Sequence, residues 1–129
     1  QFSIGEKIFS NFGRYIQIRF KNFVFLKKAL GSIKGIKVIE NKNKNDKVHY
    51  IRCPILVEKN RDKLLAYLLS NNIEASEMYP EVNKDIEQFP GSKVIKNNLL
   101  TLPCHPGMRK IDLYNVVFHV KSFIFNEVD

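Results

Sequence analysis

The chain contains no tryptophan and only two cysteines, and none of its apolar runs approaches the roughly 20 residues that a membrane-spanning helix requires. The missing run excludes a helical span. The N terminus also lacks the succession of charged, apolar and small residues that marks a secretory signal peptide. Two cysteines, Cys53 and Cys104, are too few for a disulfide framework. A chain of 129 residues with 44% hydrophobic content buries enough core to need no covalent staple. Both thiols are therefore expected to be reduced and buried or partly buried. The spacings of Cys53, Cys104, His49, His105 and His119 match no zinc pattern. These absences predict a soluble, cytoplasmic protein of one domain, 1–129, without a membrane partner and without a metal. Gln1 in place of an initiating methionine fits a segment of a longer chain.

What is present in abundance is positive charge, a formal net of +8. Lys and Arg neutralise phosphates, so nucleic acid is the first partner to weigh. The distribution argues against it. Lys7, Arg14, Arg19, Lys21, Lys27, Lys28, Lys34 and Lys37 are scattered, and Asp and Glu interrupt the basic residues further on. Neither a basic-aromatic RNA-binding strand nor a paired-cysteine finger appears. A solvated lysine-rich surface accounts for the charge, as does a face covered by another domain.

The periodicity places the elements. Phe12, Ile16, Phe23, Leu26, Leu30 and Ile33 recur at helical steps, which predicts a long amphipathic helix from about Gly5 to Leu30. Tyr15, Ile18, Phe20 and Phe25 lie off that face, so the helix is either deeply buried or packs on something further. Gly31 and Gly35 end it. Ile36–Ile39 and His49–Val57 are rich in β-branched and aromatic residues and read as strands joined by the charged, Asn-rich stretch 40–47. Leu64, Leu65, Leu68 and Leu69 form the face of a short helix capped near Asn60 and closed at Asn71-Asn72. Ile73–Met78 reads as extended. Residues 79–91 hold two prolines and many charges, a loop long enough to suggest a binding role. Ser92–Asn98 reads as helix, Leu99–Leu102 as strand, and Leu113, Val116, Val117, Val120 and Ile124 as one face of a C-terminal helix with Asp112 at its positive end. The result is an α+β domain with a small, mostly antiparallel sheet covered by helices.

Few constellations carry chemistry. Cys104-His105 places a thiol beside a base in sequence, but neighbours on a strand point to opposite faces. His119, beside Val116, Val117 and Val120, reads as a boundary histidine. Glu74, Glu77 and Glu81 surround Tyr79 in sequence and offer acid–base partners or simply a solvated loop.

The ordered motifs carry more. Arg19-x-x-Asn22, Tyr50-Ile51-Arg52-Cys53-Pro54-Ile55, Arg61-Asp62-Lys63-Leu64, Asn72-Ile73, Tyr79-Pro80, Phe89-Pro90-Gly91-Ser92 and Leu99 to Pro106 occur in that order. In order and spacing the set resembles the C-terminal part of DegT-type nucleotide-sugar aminotransferases, which are pyridoxal-phosphate enzymes of the aspartate-aminotransferase fold. The likeness covers roughly residues 19–123. Asn72 stands where the family usually has glycine and Ser92 where it has a small residue. The segment after Tyr79-Pro80 lacks the longer His-containing stretch of many members.

The resemblance implies a domain of an enzyme that transfers an amino group to a keto-sugar nucleotide. It implies a large pyridoxal-phosphate domain and a homodimer partner in the parent, with Tyr79, Met78 and Glu77 near the substrate. Pyridoxal-phosphate chemistry needs a Schiff-base lysine, an acid for the ring nitrogen and a phosphate cradle. No lysine here sits in such a motif and no Gly-rich turn opens a helix. The chain alone is therefore expected to hold no cofactor, to supply no catalytic residue and to be inert. The rival expectation is a stand-alone, non-catalytic module that binds an anionic ligand, nucleic acid or a protein.

Overall fold

A computed structural model describes residues 2–43, 48–77 and 88–126, apart from the side chains of residues 2–4, 7 and 8. Its elements are α1 (Phe2–Leu30), β1 (Ile36–Val38), β2 (Arg52–Val57), α2 (Arg61–Ser70), α3 (Pro90–Asn98), β3 (Leu99–Pro103) and α4 (Lys110–Asn126). The architecture is α+β, with the long N-terminal helix that the sequence predicts.

The sheet is antiparallel in the order β1-β2-β3, with Ile36 opposite Val57 and Cys53 opposite Leu102. Cys53, Ile55 and Val57 alternate inward along β2. β3 is buried along its whole length. These faces meet Phe23, Leu26 and Leu30 of α1, Leu64 and Leu68 of α2, and Val116, Val120 and Phe123 of α4 in one continuous core.

Pro54 lies in the central strand, a place proline usually avoids. Its carbonyl accepts from Ile39 N at 2.9 Å on the β1 side, where the proline has no N–H to return. The β1 ladder therefore stops at Val38. Pro54 still sits opposite Thr101 in the pairing with β3.

Asn72 adopts φ 58°, the left-handed conformation that asparagine tolerates best after glycine. That geometry explains an asparagine where the related family favours glycine. Asn60 precedes α2 with the same φ and makes no side-chain cap bond; its backbone carbonyl accepts from Leu64 N at 2.9 Å. α3 begins two residues before Ser92, with Pro90 in the first turn, where a missing N–H costs nothing. The extended stretch expected over 73–78 forms no strand among the described residues. Ser76 makes a single bridge to Thr101, with N···O distances of 3.1 and 2.7 Å.

Candidate functional site

Three of the motifs, those at Arg19 and Asn22, at Tyr50 to Ile55 and at Leu99 to Pro106, meet at one end of the sheet, where α1 crosses the start of β2 and the end of β3. Asn22 is buried on α1, and its Nδ2 donates to the carbonyls of His105 at 3.0 Å and Cys104 at 3.3 Å. Arg19, one turn earlier, donates from Nη1 to Ile51 O at 3.3 Å. Phe23 stacks on Tyr50 with centroids 3.6 Å apart and planes 7° from parallel. Arg19, Asn22, Tyr50 and Cys104 thus form one knot that fastens the helix to the sheet. Three motifs separated in the sequence form a single structural feature.

Cys104 belongs to that knot, and Cys53 is buried beside it. Cys53 is fully buried, and burial, with Cys104 adding to it, pushes its pKa up to about 12. Burial also raises Cys104, although Arg19 and Arg52 pull it down. Its Sγ faces Ile51 O at 3.6 Å and Tyr50 O at 3.7 Å, while His105 is exposed. Burial and a raised pKa both disfavour the thiolate that a nucleophilic cysteine requires.

Two open grooves flank the knot. One, of about 770 Å³, is lined by Phe12, Tyr15, Arg19, His49, Ile51 and Pro106 among others. The other, of about 880 Å³, runs along α1 past Phe20, Val24 and Lys27 to Asn41 and Val48. Both are walled by apolar side chains of α1 that the core leaves uncovered. Phe9 is 83% exposed and Phe12 59%, and their rings stack at 6.5 Å. The N-terminal half of α1 therefore carries its apolar stripe beyond the core, which begins at Phe23.

The segment leading to the predicted substrate loop is held by two arginines. Arg52 donates from Nε to Thr101 Oγ1 at 3.0 Å and pairs through Nη1 with Glu74 at 2.9 Å; its Nη2 also donates to Glu74 O. The Thr101 hydroxyl donates in turn to Ser76 O at 2.9 Å. Arg61, nearly buried at the start of α2, reaches Glu77 Oε2 at 2.5 Å and Lys96 O at 3.1 Å. Its Nε lies 2.9 Å from Asp62 Oδ1 but out of line for a hydrogen bond. Arg61 thus bridges Glu77, α2 and the last turn of α3. Of the three predicted substrate-side residues, Glu77 is tied to Arg61, and Met78 and Tyr79 lie outside the described residues, as does Glu81. The sequence places Arg61 only at a helix start. Its bridging position depends on Lys96, 35 residues away, which no local pattern reveals.

A third, polar cleft of about 410 Å³ is lined by Asn72, Glu74, His105, Asp112, Asn115 and His119 among others. His119 Nδ1 lies 3.1 Å from Tyr67 Oη, which satisfies the boundary histidine. Arg109 donates from Nη2 and Nε to Asp112, and its backbone N–H adds a third bond at 2.8 Å. These bonds, the side-chain ones first, hold the Asp112 carboxyl below the usual range. They also close the start of α4 in the manner of half a capping box. Among the described residues no three His, Cys, Asp or Glu side chains converge to hold a metal ion.

Comparison with known proteins extends this geometry. No curated protein sequence matches the chain. Solved structures do. The aminotransferase TlmJ from Streptoalloteichus hindustanus superimposes with a TM-score of 0.88 at 15% identity, over 98% of this chain and 36% of its own. The putative sugar aminotransferase Spr1654 from Streptococcus pneumoniae, in its PLP form, gives 0.83 at 14%, over 96% and 35%. A DegT DnrJ EryC1 StrS aminotransferase from Brucella abortus gives 0.75 at 20%, over 91% and 33%. At these identities the likeness is one of fold, and the chain spans about a third of the length of each. The family model for DegT/DnrJ/EryC1/StrS aminotransferases matches residues 1–121, nearly the whole chain. The chain belongs to the DegT/DnrJ/EryC1/StrS aminotransferase family.

Proposed function

We propose that these 129 residues are the small C-terminal domain of a larger pyridoxal-phosphate-dependent aminotransferase that acts on a keto-sugar nucleotide. In this reading the domain lines one side of the substrate cleft and is inert alone. The large domain of the parent, with its homodimer partner, supplies the cofactor site. The observation that carries the reading is the uncovered apolar stripe on the N-terminal half of α1, headed by the stacked Phe9 and Phe12. A helix whose apolar face outruns its own core has a further surface to cover.

The residues described here do not fit pyridoxal phosphate. Asn22 and Thr101 are the buried polar or charged residues, so no described lysine is enclosed as a Schiff-base amine would be. The helices starting at Arg61, Pro90 and Lys110 follow no glycine-rich turn that could cradle a phosphate. The chain's own part is positional. Through Arg61 and Arg52 it fixes Glu77 and Glu74 at the base of the segment that carries Met78 and Tyr79, the residues we assign to the substrate side.

The test is borohydride reduction of the full-length gene product loaded with pyridoxal phosphate, followed by peptide mapping. The expected adduct falls on a lysine outside these 129 residues. Amino transfer from an amino acid to a keto-sugar nucleotide is expected in the full-length protein and absent from the 129-residue chain. A stoichiometric adduct on a lysine of this chain, or a full-length protein without transfer activity, refutes the proposal.

A further inference from the structure

α4 is apolar on two faces. Leu113, Val116, Val117, Val120 and Phe123 enter the core. On the opposite side Ile111 (54% exposed), Tyr114 (48%), Phe118 (63%) and Phe125 (68%) stand in solvent. Their spacing of three, four and seven residues puts them in one row, about 21 Å long at 1.5 Å per residue. A helix apolar all round is normally buried. From outside α4 the row meets Phe25 of α1, whose ring sits edge-on to Tyr114 at 5.1 Å, and within the helix Phe118 sits edge-on to His119 at 5.2 Å.

Positive charge rims this ridge. Lys110 and Lys121 flank it on α4, and Lys110 Nζ lies 5.9 Å from the centre of the Tyr114 ring. Lys21 and Lys28, four residues before Phe25 and three after it, are exposed on the flank of α1 between Phe25 and the groove of about 880 Å³, which they also line. The two helices contain two acids, Glu6 and Asp112, and Asp112 is held by Arg109. None of the three grooves described above is lined by Ile111, Tyr114, Phe118 or Phe125. The row is thus a ridge to be buried and not a slot to be filled.

We propose that this ridge docks the protein on an anionic membrane surface. Its aromatic side chains enter the headgroup boundary, where Tyr and Phe are favoured, and the four lysines meet lipid phosphates. Charge complementarity selects this occupant over a second copy of the chain, because a two-fold contact through the ridge brings its lysine rim against an identical rim. No described helix is long and apolar enough to cross a membrane, and lying on a surface requires none. The proposal is independent of the aminotransferase reading, since it rests on α4 and not on the N-terminal half of α1.

Cosedimentation of the full-length protein with sucrose-loaded vesicles tests it. Vesicles of phosphatidylcholine alone are compared with vesicles in which about a third of the lipid is phosphatidylglycerol. Binding is expected to the anionic vesicles alone and to fall steeply with added salt. Phe118→Ser with Phe125→Ser, both at exposed positions, is expected to weaken partitioning about tenfold or more with unchanged far-ultraviolet circular dichroism. Lys21→Gln with Lys28→Gln is expected to do likewise and to flatten the salt dependence. Equal binding to both vesicle types, unaltered partitioning of the Phe variants, or no binding overturns the proposal. So does a parent protein that forms dimers by sedimentation velocity which Phe118→Ser dissociates, because the ridge then serves a second copy.

Discussion

Asn22→Ala isolates the knot that fastens α1 to the sheet. The Asn22 amide is buried, and its NH2 group serves two carbonyls, at 3.3 and 3.0 Å, on residues 82 and 83 positions away respectively. A typical hydrogen bond contributes about 1 kcal/mol net, and stranding a buried acceptor adds to the loss, so Asn22→Ala is expected to cost about 2–3 kcal/mol. For a chain of this size that corresponds to a melting temperature lower by roughly 8–12 °C. Urea unfolding followed by circular dichroism measures it. Asn22→Asp supplies the sharper control. The introduced carboxylate faces two carbonyl oxygens and is expected to cost about 1–3 kcal/mol beyond Asn22→Ala at neutral pH. Burial among acceptors raises the folded pKa of that carboxyl above its unfolded value of about 3.9. Its stability is then greatest below pH of about 4 and is lost as pH rises through the folded pKa, so the gap between the two variants must narrow on acidification. An Asn22→Ala penalty under about 0.5 kcal/mol, or a gap that ignores pH, refutes the reasoning.

Three further outcomes are expected. In the 129-residue chain, Phe9→Ser with Phe12→Ser should shift unfolding free energy by less than about 0.5 kcal/mol, because both rings are exposed; in the full-length protein each loses about 1.5–3 kcal/mol of burial, measured by urea titration of both forms. Arg61→Met should cost about 1 kcal/mol, since Glu77 and Asp62 remain largely in solvent, and should speed amide exchange at the end of α3, where Lys96 O loses its donor. Cys53, with its pKa raised from 9.0 to about 12, stabilises the fold fully below pH 9 and loses that contribution as pH climbs toward 12. The loss is about 1.4 kcal/mol per pH unit in that window. Cys53→Val should flatten the alkaline slope in thermal melts, and an equally steep slope in the variant counts against the assignment.

The helices were legible in the sequence because apolar residues repeat at helical steps over many turns, as at Phe23, Leu26 and Leu30. Strands β2 and β3 were legible from their β-branched and leucine-rich runs. What was not legible depends on contacts across the chain. Periodicity continues unbroken through Phe12 and Ile16, so the pattern alone does not show that the core ends near Phe23. Ile73–Met78 has extended-looking composition, yet among its described residues β3 bridges only Ser76, and Arg52 and Thr101 take up the polar groups beside it. The core face of α4 carries the expected Leu113, Val116, Val117 and Val120, with Phe123 buried more deeply than Ile124. Its outer row, Ile111, Tyr114, Phe118 and Phe125, repeats at helical steps just as the core row does, so periodicity alone does not tell which face is covered. Arg19 and Asn22 appeared as a loose motif. Their partners, Ile51, Cys104 and His105, supply its meaning.

The reach of Asn22 also orders events during synthesis. Its acceptors follow it by 82 and 83 residues, and ribosomes add about 5–20 residues each second. The long first helix therefore leaves the ribosome with its core-facing stripe bare for about 4–16 s before its anchor exists. Throughout that interval the nascent chain presents Phe23, Leu26 and Leu30 uncovered, and a chaperone that recognises apolar helices meets this segment through α1.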